Sequence, residues 1–243
     1  MDQQTRAALK QDQFVTTTSH GLEWASENRR SVIVTVGIVL AVILVAVLGA
    51  VLYNSRSEAA TVAFGNAMQA YQTPLAVPGQ PAPPGVKTYT TAAERARAAN
   101  ALFLQVADKF GMMPDGKNAR YFAGLTYIES GQSQQAEATL KKVAGGWNSD
   151  LAGLAKLSLA GLYRTNGRYP DAIDLLNQLA AKPTTTVPAG LAKLQLADLY
   201  ESQGKTADAR AIYAKLKDTD PKGVAGTIAA EKLNPPPAPA AGR

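Results

Sequence analysis

The feature that most constrains the fold of this chain is a threefold internal repeat in its second half. Gly131, Gly167 and Gly204 lie 36 and 37 residues apart. Around each glycine the same residue types recur: a small residue seven positions before it, a tyrosine four before it and an alanine five after it. In chain order these residues are Gly124, Tyr127 and Ala136, then Ala160, Tyr163 and Ala172, then Ala197, Tyr200 and Ala209. A period of this length is typical of helical hairpins that stack into a solenoid.

Each recurring residue has a mechanical role in a hairpin of two helices. The glycine supplies the positive φ at which the first helix ends, where a Cβ would be strained. The small residue and the alanine let the helices cross closely, so we expect Gly124 to face Ala136, and likewise in the other repeats. The tyrosine is expected to fill the gap between neighbouring hairpins. We expect Pro170 at the first position of its helix and Thr206 as the cap of the equivalent helix.

These residues resemble the tetratricopeptide repeat. Its pattern has Leu-Gly-x-x-Tyr in the first helix, Gly-x-Tyr at the turn, then alanine, an aromatic residue and a late proline. The middle unit matches at Leu159, Ala160, Tyr163, Gly167, Tyr169 and Ala172. The last unit matches at Leu196, Ala197, Tyr200, Gly204, Ala209, Tyr213 and Pro221. The first unit matches at Gly124, Tyr127, Gly131 and Ala136. Cations replace the large early residue of the pattern at Arg120, Lys156 and Lys193. The resemblance implies an all-α solenoid.

The segments before the repeats predict a fourth, degenerate helix pair. Residues 58–72 are rich in alanine and either form a separate helix or continue the one before them. A proline-rich loop, residues 73–91, then interrupts the helical pattern. Thr91 and Glu94 have the spacing of a capping box, which predicts a helix from there to Phe110.

The segments after the repeats predict an end to the stack. Asp220-Pro221 is expected to begin a last helix that runs to Leu233 and caps the open end of the solenoid. The repeat-like domain is therefore expected to comprise residues 56–233, with about four helix pairs. Residues 234–243 are rich in proline and are expected to be a disordered tail.

A second strong signal is the run from Val32 to Tyr53, which has 22 residues and no charge. As a helix it would be about 33 Å long, enough to cross a bilayer. A buried core helix and a cleaved signal peptide are the alternatives. Arg29 and Arg30 precede the run, whereas only Arg56 lies close behind it. The sequence therefore predicts a cytoplasmic tail (1–30), a transmembrane helix (31–53) and an extracytoplasmic repeat domain, which in a Gram-negative bacterial envelope would be periplasmic and anchored to the inner membrane.

Composition argues against most catalytic and cofactor-dependent classes. The chain has no cysteine, and His20 is its only histidine, so thiolate metal sites and histidine triads are disfavoured. The net charge of +6 is dispersed, without the basic stripe of a nucleic-acid-binding protein. Three carboxylate pairs have spacings that could form a shared acid site: Asp171 with Asp174, Asp198 with Glu201, and Asp218 with Asp220. All of these pairs lie near helix ends or on exposed helical positions, where capping or solvation explains them. We therefore expect no enzyme, no cofactor, no metal, no small-molecule substrate and no nucleic-acid partner.

The order of these segments resembles the YfgM-like family, an ancillary subunit of the bacterial SecYEG translocon. The resemblance implies a membrane-anchored scaffold for protein interactions at the Sec translocon. Its implied partners are translocon subunits, a membrane-anchored periplasmic prolyl isomerase and secreted clients, with chaperone-like contact to the latter. A homo-oligomerising envelope protein, or a cofactor in cell division or outer-membrane assembly, is the alternative function.

In tetratricopeptide stacks the first helices line a concave binding face. The positions expected to point into this face are Tyr121, Leu125, Ile128, Leu154, Leu157, Arg164, Leu191, Leu194, Asp198 and Glu201. Such a face is more apolar than a solvated surface, which suggests protein binding. Packing of the same leucines between neighbouring hairpins is the competing interpretation. Tyr121, Leu157 and Leu194 occupy positions where a carboxylate clamp would have lysine, so that mode of binding is disfavoured.

Overall fold

A computed structural model describes residues 28–77, 79, 85 and 87–235 of the chain. Within these ranges the protein is all-helical, and the predicted fold class is confirmed. The helices are α1 (Arg29–Tyr71), α2 (Ala92–Lys109), α3 (Pro114–Glu129), α4 (Ser133–Ala144), α5 (Ser149–Thr165), α6 (Tyr169–Ala181), α7 (Ala189–Ser202), α8 (Thr206–Thr219) and α9 (Val224–Leu233). The tail before residue 28, with His20, and the last eight residues lie outside the described ranges.

The chain divides into two compact units, residues 1–55 and 56–243. In the first unit, α1 carries the apolar run of the sequence, and none of its most apolar stretch is buried in protein. Among the described helices this is the one that is long and apolar enough to cross a membrane. Its exposure excludes a core helix, one of the alternatives left open by the sequence, because a core helix would be covered by other elements.

The second unit is a series of antiparallel helices in which each packs on the next. It begins with the last part of α1, because residues 58–71 continue that helix and form no separate one. Ala60 and Ala67 pack there against Phe103 of α2 in a core shared with α3. The rings of Phe103 and Phe122 stack with their centroids 5.4 Å apart. Large aromatic surfaces contribute much of the hydrophobic stabilisation of such a core.

The proline-rich segment between α1 and α2 is closed at its base. The amide of Ala76 donates a hydrogen bond of 2.8 Å to the carbonyl of Tyr89, and the Tyr89 amide donates one of 3.3 Å to Pro74. At its end, the Thr91 hydroxyl accepts a hydrogen bond from the Glu94 amide at 3.1 Å. The predicted cap of α2 is therefore present, and the described ends of the loop are held together by backbone hydrogen bonds.

The three repeat turns share one backbone geometry. Gly131, Gly167 and Gly204 have φ of 78°, 73° and 71°. In each turn the amide after the glycine donates to the carbonyl of the repeat tyrosine, at 2.8 to 2.9 Å. The glycine amide donates to the residue three before it. This pair of bonds is the Schellman motif, which satisfies carbonyls that the helix end leaves free.

Three predicted helix starts differ from the structure. Pro170 is the second residue of α6, because that helix begins at Tyr169. Thr206 does not cap α8: it is the first helical residue, and Lys205 precedes it without a side-chain capping bond. The last helix begins at Val224 and not at Asp220-Pro221. The physical reason is that Asp220 still belongs to the end of α8, since its amide donates a hydrogen bond to the Leu216 carbonyl at 2.9 Å.

Candidate protein-binding surface

The ten residues of the predicted concave face lie on α3, α5 and α7, the first helices of the three repeats. On α3, Leu125 is half-buried, and Tyr121 and Ile128 pack against the central core cluster. A hydrogen bond of 3.2 Å joins the hydroxyls of Tyr121 and Ser158, which connects α3 to α5. These α3 side chains therefore contribute to the contact between repeats as well as to the surface.

The predicted leucines of α5 and α7 take part in packing between hairpins. Leu154, Leu157 and Leu191 are half-buried against a core cluster centred on Val187. Leu194 is only 8% exposed, in a second cluster that includes Tyr213. Its side chain is thus directed into the domain. Leu194 therefore packs between hairpins, whereas Leu154, Leu157 and Leu191 each keep part of their surface exposed to solvent.

A shallow groove lies between α5 and α7 and contains two of the predicted residues. Leu157 and Arg164 line it from α5, and Gln195 lines it from α7. The groove has a volume of about 20 Å³ and a largely apolar floor formed by Ala160, Leu176 and Leu199. Arg164 is exposed and forms no ion pair with another residue in the described part of the chain.

Gly161 also lines this groove, and the sequence prediction missed it. A Cβ built on Gly161 would meet no other atom within 4 Å, so its helix face is open. Glycine inside a helix costs roughly 1 kcal/mol relative to alanine. That unfavourable propensity is the signal in the sequence that marks this position. Gly161, unlike Gly167, has no positive φ, so no requirement of the backbone explains a glycine there.

The two acidic residues predicted for the third repeat are engaged within the domain. Lys232 of α9 donates hydrogen bonds to Asp198 at 3.1 Å and to Glu201 at 3.2 Å. The buried hydroxyl of Tyr213 donates to Asp198 at 2.8 Å. Burial, and then this bond to Asp198, raises the pKa of Tyr213 well above its ordinary value. Asp198 and Glu201 therefore hold the last helix in place.

A comparable polar cluster joins the first and middle repeats. Glu137 of α4 accepts hydrogen bonds from the Tyr163 hydroxyl at 2.9 Å and from Arg168 at 2.8 Å. Lys141 also lies 2.7 Å from this carboxylate. The hydrogen bond from Lys141, with those from Tyr163 and Arg168, holds the pKa of Glu137 below its usual value against the opposing effect of burial. The repeat tyrosine Tyr163 is thus bonded across the gap between hairpins.

The repeat positions behave as structural residues. Their small members are all buried: Gly124, Ala136, Ala160, Ala172, Ala197 and Ala209. The contact of Gly124 is with Leu140 of α4, since an added Cβ would lie 2.6 Å from the Leu140 Cδ2 atom. Tyr127 packs against the central cluster, and Tyr200 contacts both the central and the last clusters. These residues determine how closely the helices approach.

The described residues offer no candidate site for a metal ion. They contain no group of three or more histidine, cysteine, aspartate or glutamate side chains suited to a metal. Of the acid pairs noted in the sequence, Asp171 accepts from Arg168 at 2.8 Å and Asp174 accepts from Gln178 at 2.8 Å. Both carboxylates thus have local partners on or next to α6, as capping and solvation would predict.

Comparison with known families agrees with this geometry. The model of a family described as a tetratricopeptide repeat-like domain matches residues 23–234, a range that includes both the apolar run and the three repeats. Among the curated proteins nothing matches the chain, and the same holds for the solved structures.

Proposed function

The chain belongs to the tetratricopeptide repeat-like domain family, and from this premise we propose that it is a membrane-anchored scaffold that binds other proteins. The observation that carries the proposal is the open groove at Gly161, between α5 and α7. Repeat domains of stacked hairpins present extended surfaces of this kind to their partners. The function is one of binding, without a catalytic step.

The groove supports a specific mode of recognition. Leu157 offers a half-buried apolar contact, and Arg164 offers five N–H donors at its rim. Binding energy in protein interfaces is concentrated in a few anchors, among which arginine is enriched, whereas the surrounding contacts mainly exclude water from them. We therefore assign Leu157, Gly161 and Arg164 to the centre of the surface. Tyr121, Leu125, Ile128, Leu154 and Leu191 form its half-buried surroundings.

The proposed location follows from the first part of α1. The helix is long and apolar enough to span a bilayer, with Arg29 and Arg30 at its start. Cationic residues stay preferentially on the cytoplasmic side, so we propose an extracytoplasmic repeat domain, which for the YfgM-like layout means the bacterial periplasm. The partners proposed from the YfgM-like layout are subunits of the Sec translocon, a membrane-anchored periplasmic prolyl isomerase and secreted clients.

The test is a variant that fills the groove without removing any contact. The Cβ of Gly161→Leu would meet no atom within 4 Å, and leucine has a higher helix propensity than glycine, so we expect helicity and melting temperature to be retained, which circular dichroism checks. Gly65→Leu is the matched control, because Gly65 is also helical and has no atom within 4 Å of an added Cβ. Full-length chains are solubilised from membranes in mild detergent. The amounts of co-purified translocon subunits and prolyl isomerase are then compared.

We expect Gly161→Leu to reduce co-purification by about tenfold or more, because the added side chain would separate a partner from Leu157 and Arg164. Loss of one interface anchor has an effect of this size. The control should match the parent chain. Equal recovery from both variants would contradict the groove assignment. Crosslinking of the parent chain mainly to copies of itself would instead support the alternative, a homo-oligomerising envelope protein.

A further inference from the structure

One edge of the repeat domain combines exposed large apolar residues with cations. A groove of about 190 Å³ is lined by Lys117, Arg120, Lys142 and Trp147. A neighbouring hollow shares Arg120 and extends to Met112 and Arg56. We call this continuous surface the basic edge: Arg56, Met112, Lys117, Arg120, Lys142 and Trp147. It is separate from the groove at Gly161.

The exposure of Trp147 has no structural explanation within the domain. Its relative exposure is 104%, and that of Met112 is 86%. The turn that carries Trp147 is nevertheless well formed: Gly145 bonds to the Lys141 carbonyl at 3.1 Å, and Asn148 caps α5 through the Leu151 amide at 3.0 Å. A tryptophan that buries no surface in its own fold, on an ordered turn, indicates an external apolar contact.

The charge of the basic edge selects an anionic surface. No acidic residue is among the described residues that line the 190 Å³ groove. Asp108 lines the neighbouring hollow beside Arg120, whereas Asp115 and Asp150, which are close in sequence to Lys117 and Trp147, have hydrogen-bond partners. Asp115 accepts the Thr61 hydroxyl at 2.6 Å, Asp150 accepts the Thr185 amide at 2.9 Å, and Asp108 lies 3.5 Å from Arg120. Lys117 and Lys142 are therefore available to phosphate groups.

We propose that the basic edge binds the anionic lipid headgroups of the membrane, with Trp147 and Met112 in the interfacial layer. The proposal rests on the membrane anchor assigned under the proposed function. Arg56, at one end of this surface, follows the last residue of the apolar run, Tyr53, by only three positions. Chain connectivity thus favours lipid over an acidic protein as the occupant. Tryptophan is enriched at the bilayer interface, and basic clusters beside a span attract anionic lipids.

The experiment places the full-length chain in nanodiscs and monitors Trp147. The chain has two tryptophans, so Trp24→Phe leaves Trp147 as the single emitter. One set of nanodiscs contains phosphatidylcholine alone, and the other contains one-third phosphatidylglycerol. Quenching by brominated lipid reports contact with the bilayer, and quenching by acrylamide reports contact with water. Co-migration of the chain with the nanodiscs checks the anchor independently.

A charge-reversal pair tests the cations. The test variant reverses two charges of the basic edge, Lys117→Glu and Lys142→Glu. The control variant makes the same change in net charge on α8, with Lys215→Glu and Lys217→Glu. All four side chains are exposed, and circular dichroism checks that helicity is retained. Because each lysine raises affinity for an anionic surface about fivefold, the first pair should reduce the lipid-contacting population by more than about tenfold. The α8 pair should behave like the parent chain.

The proposal predicts blue-shifted Trp147 emission, quenching by brominated lipid and protection from acrylamide in the anionic nanodiscs. Emission typical of water in both lipids, from chains that co-migrate with the nanodiscs, would overturn it while leaving the anchor intact. Chains that fail to co-migrate would overturn the anchor, and the basic-edge proposal with it. If Trp147 were protected only after a periplasmic extract is added, the occupant would be a protein, and the lipid proposal would be overturned.

Discussion

At the scale of single residues, two glycines of the middle repeat differ in their backbone conformation and in their effect on stability. Gly167 has a φ of 73°, in the left-handed region that glycine adopts without strain. Gly161 is helical, and a Cβ there would meet no atom within 4 Å. The first glycine is needed for the turn. The second is unfavourable for the helix and leaves the groove open.

Alanine substitutions at these two positions should therefore have opposite effects on stability. Gly167→Ala should lower the free energy of unfolding by about 1–2 kcal/mol, the cost of a left-handed L-residue. Gly161→Ala should raise it by up to about 1 kcal/mol through helix propensity. Urea denaturation of the two variants measures both values. Destabilisation by Gly161→Ala would mean that its helix face is covered.

At the scale of helices, neighbouring hairpins are joined by apolar packing and by polar clusters. The carboxylate of Glu137 on α4 accepts from Tyr163 on α5 and from Arg168 at the start of α6. Lys232 makes an analogous connection from α9 to Asp198 and Glu201 on α7. Such bonds orient the helices more specifically than alanine and leucine contacts do, because they require particular distances.

The Glu137 cluster predicts a pH dependence of stability. Since the folded-state pKa of Glu137 is lowered, its stabilising effect is present above the unfolded pKa of about 4.3. The effect is lost as the pH falls through the folded pKa. Glu137→Gln should cost about 1 kcal/mol at pH 7 and should weaken the loss of stability in acid. Melting curves between neutral and acidic pH test this.

Glu231→Gln is the control for this experiment. Glu231 is exposed on α9 and has no ion pair in the part of the chain that the structure describes. Its replacement should leave the acid profile unchanged. Identical acid profiles for Glu137→Gln and the parent chain would show that the cluster does not contribute to folding.

At the scale of the whole molecule, the repeat series requires a finishing element at its open end. The cluster of Leu194, Ala197, Ala209 and Tyr213 is closed by Ala225 and Ala229 of α9. Terminal elements of repeat arrays cover apolar surface that an inner repeat would otherwise bury. The stability of α7 and α8 should therefore depend on α9.

Deletion of residues 221–243 should expose this last cluster. We expect a lower melting temperature and a broader transition, because the terminal repeat would unfold before the others. A chain that ends at Asn234 retains α9 and should melt like the full-length protein. A sharp and unchanged transition for the longer deletion would contradict the capping role of α9.

The proposed topology predicts which part of the chain is accessible in cells. Protease added to spheroplasts should degrade the repeat domain and spare the segment before Arg30, because the cationic flank retains that segment in the cytoplasm. Immunoblots against each end of the chain measure the result, with protease on lysed cells as the control. Survival of the repeat domain in intact spheroplasts would reverse the assigned orientation.

The sequence alone determined the features that depend on local backbone chemistry and on periodicity. The turn glycines, the capping box at Thr91 and the apolar run all follow from the conformational or solvation preferences of the residues themselves. The all-α class and the repeat family follow from the period. The helix starts expected at Pro170, after a Thr206 cap and at Asp220-Pro221 were predicted wrongly, because several neighbouring residues can begin a helix and packing selects among them.

Only the tertiary structure decided which side of each helix is covered. Leu194 and Leu157 have similar positions in their repeats, yet Leu194 is buried beneath α9 and Leu157 lines an open groove. From their positions in the repeat, Asp198 and Glu201 were expected on a binding face. In the structure both carboxylates accept hydrogen bonds from Lys232, which is more than thirty residues away in sequence. Likewise, Trp147 is exposed because no other segment of the described chain packs over it. Burial is a property of contacts between distant segments, and residue type and spacing do not specify those contacts.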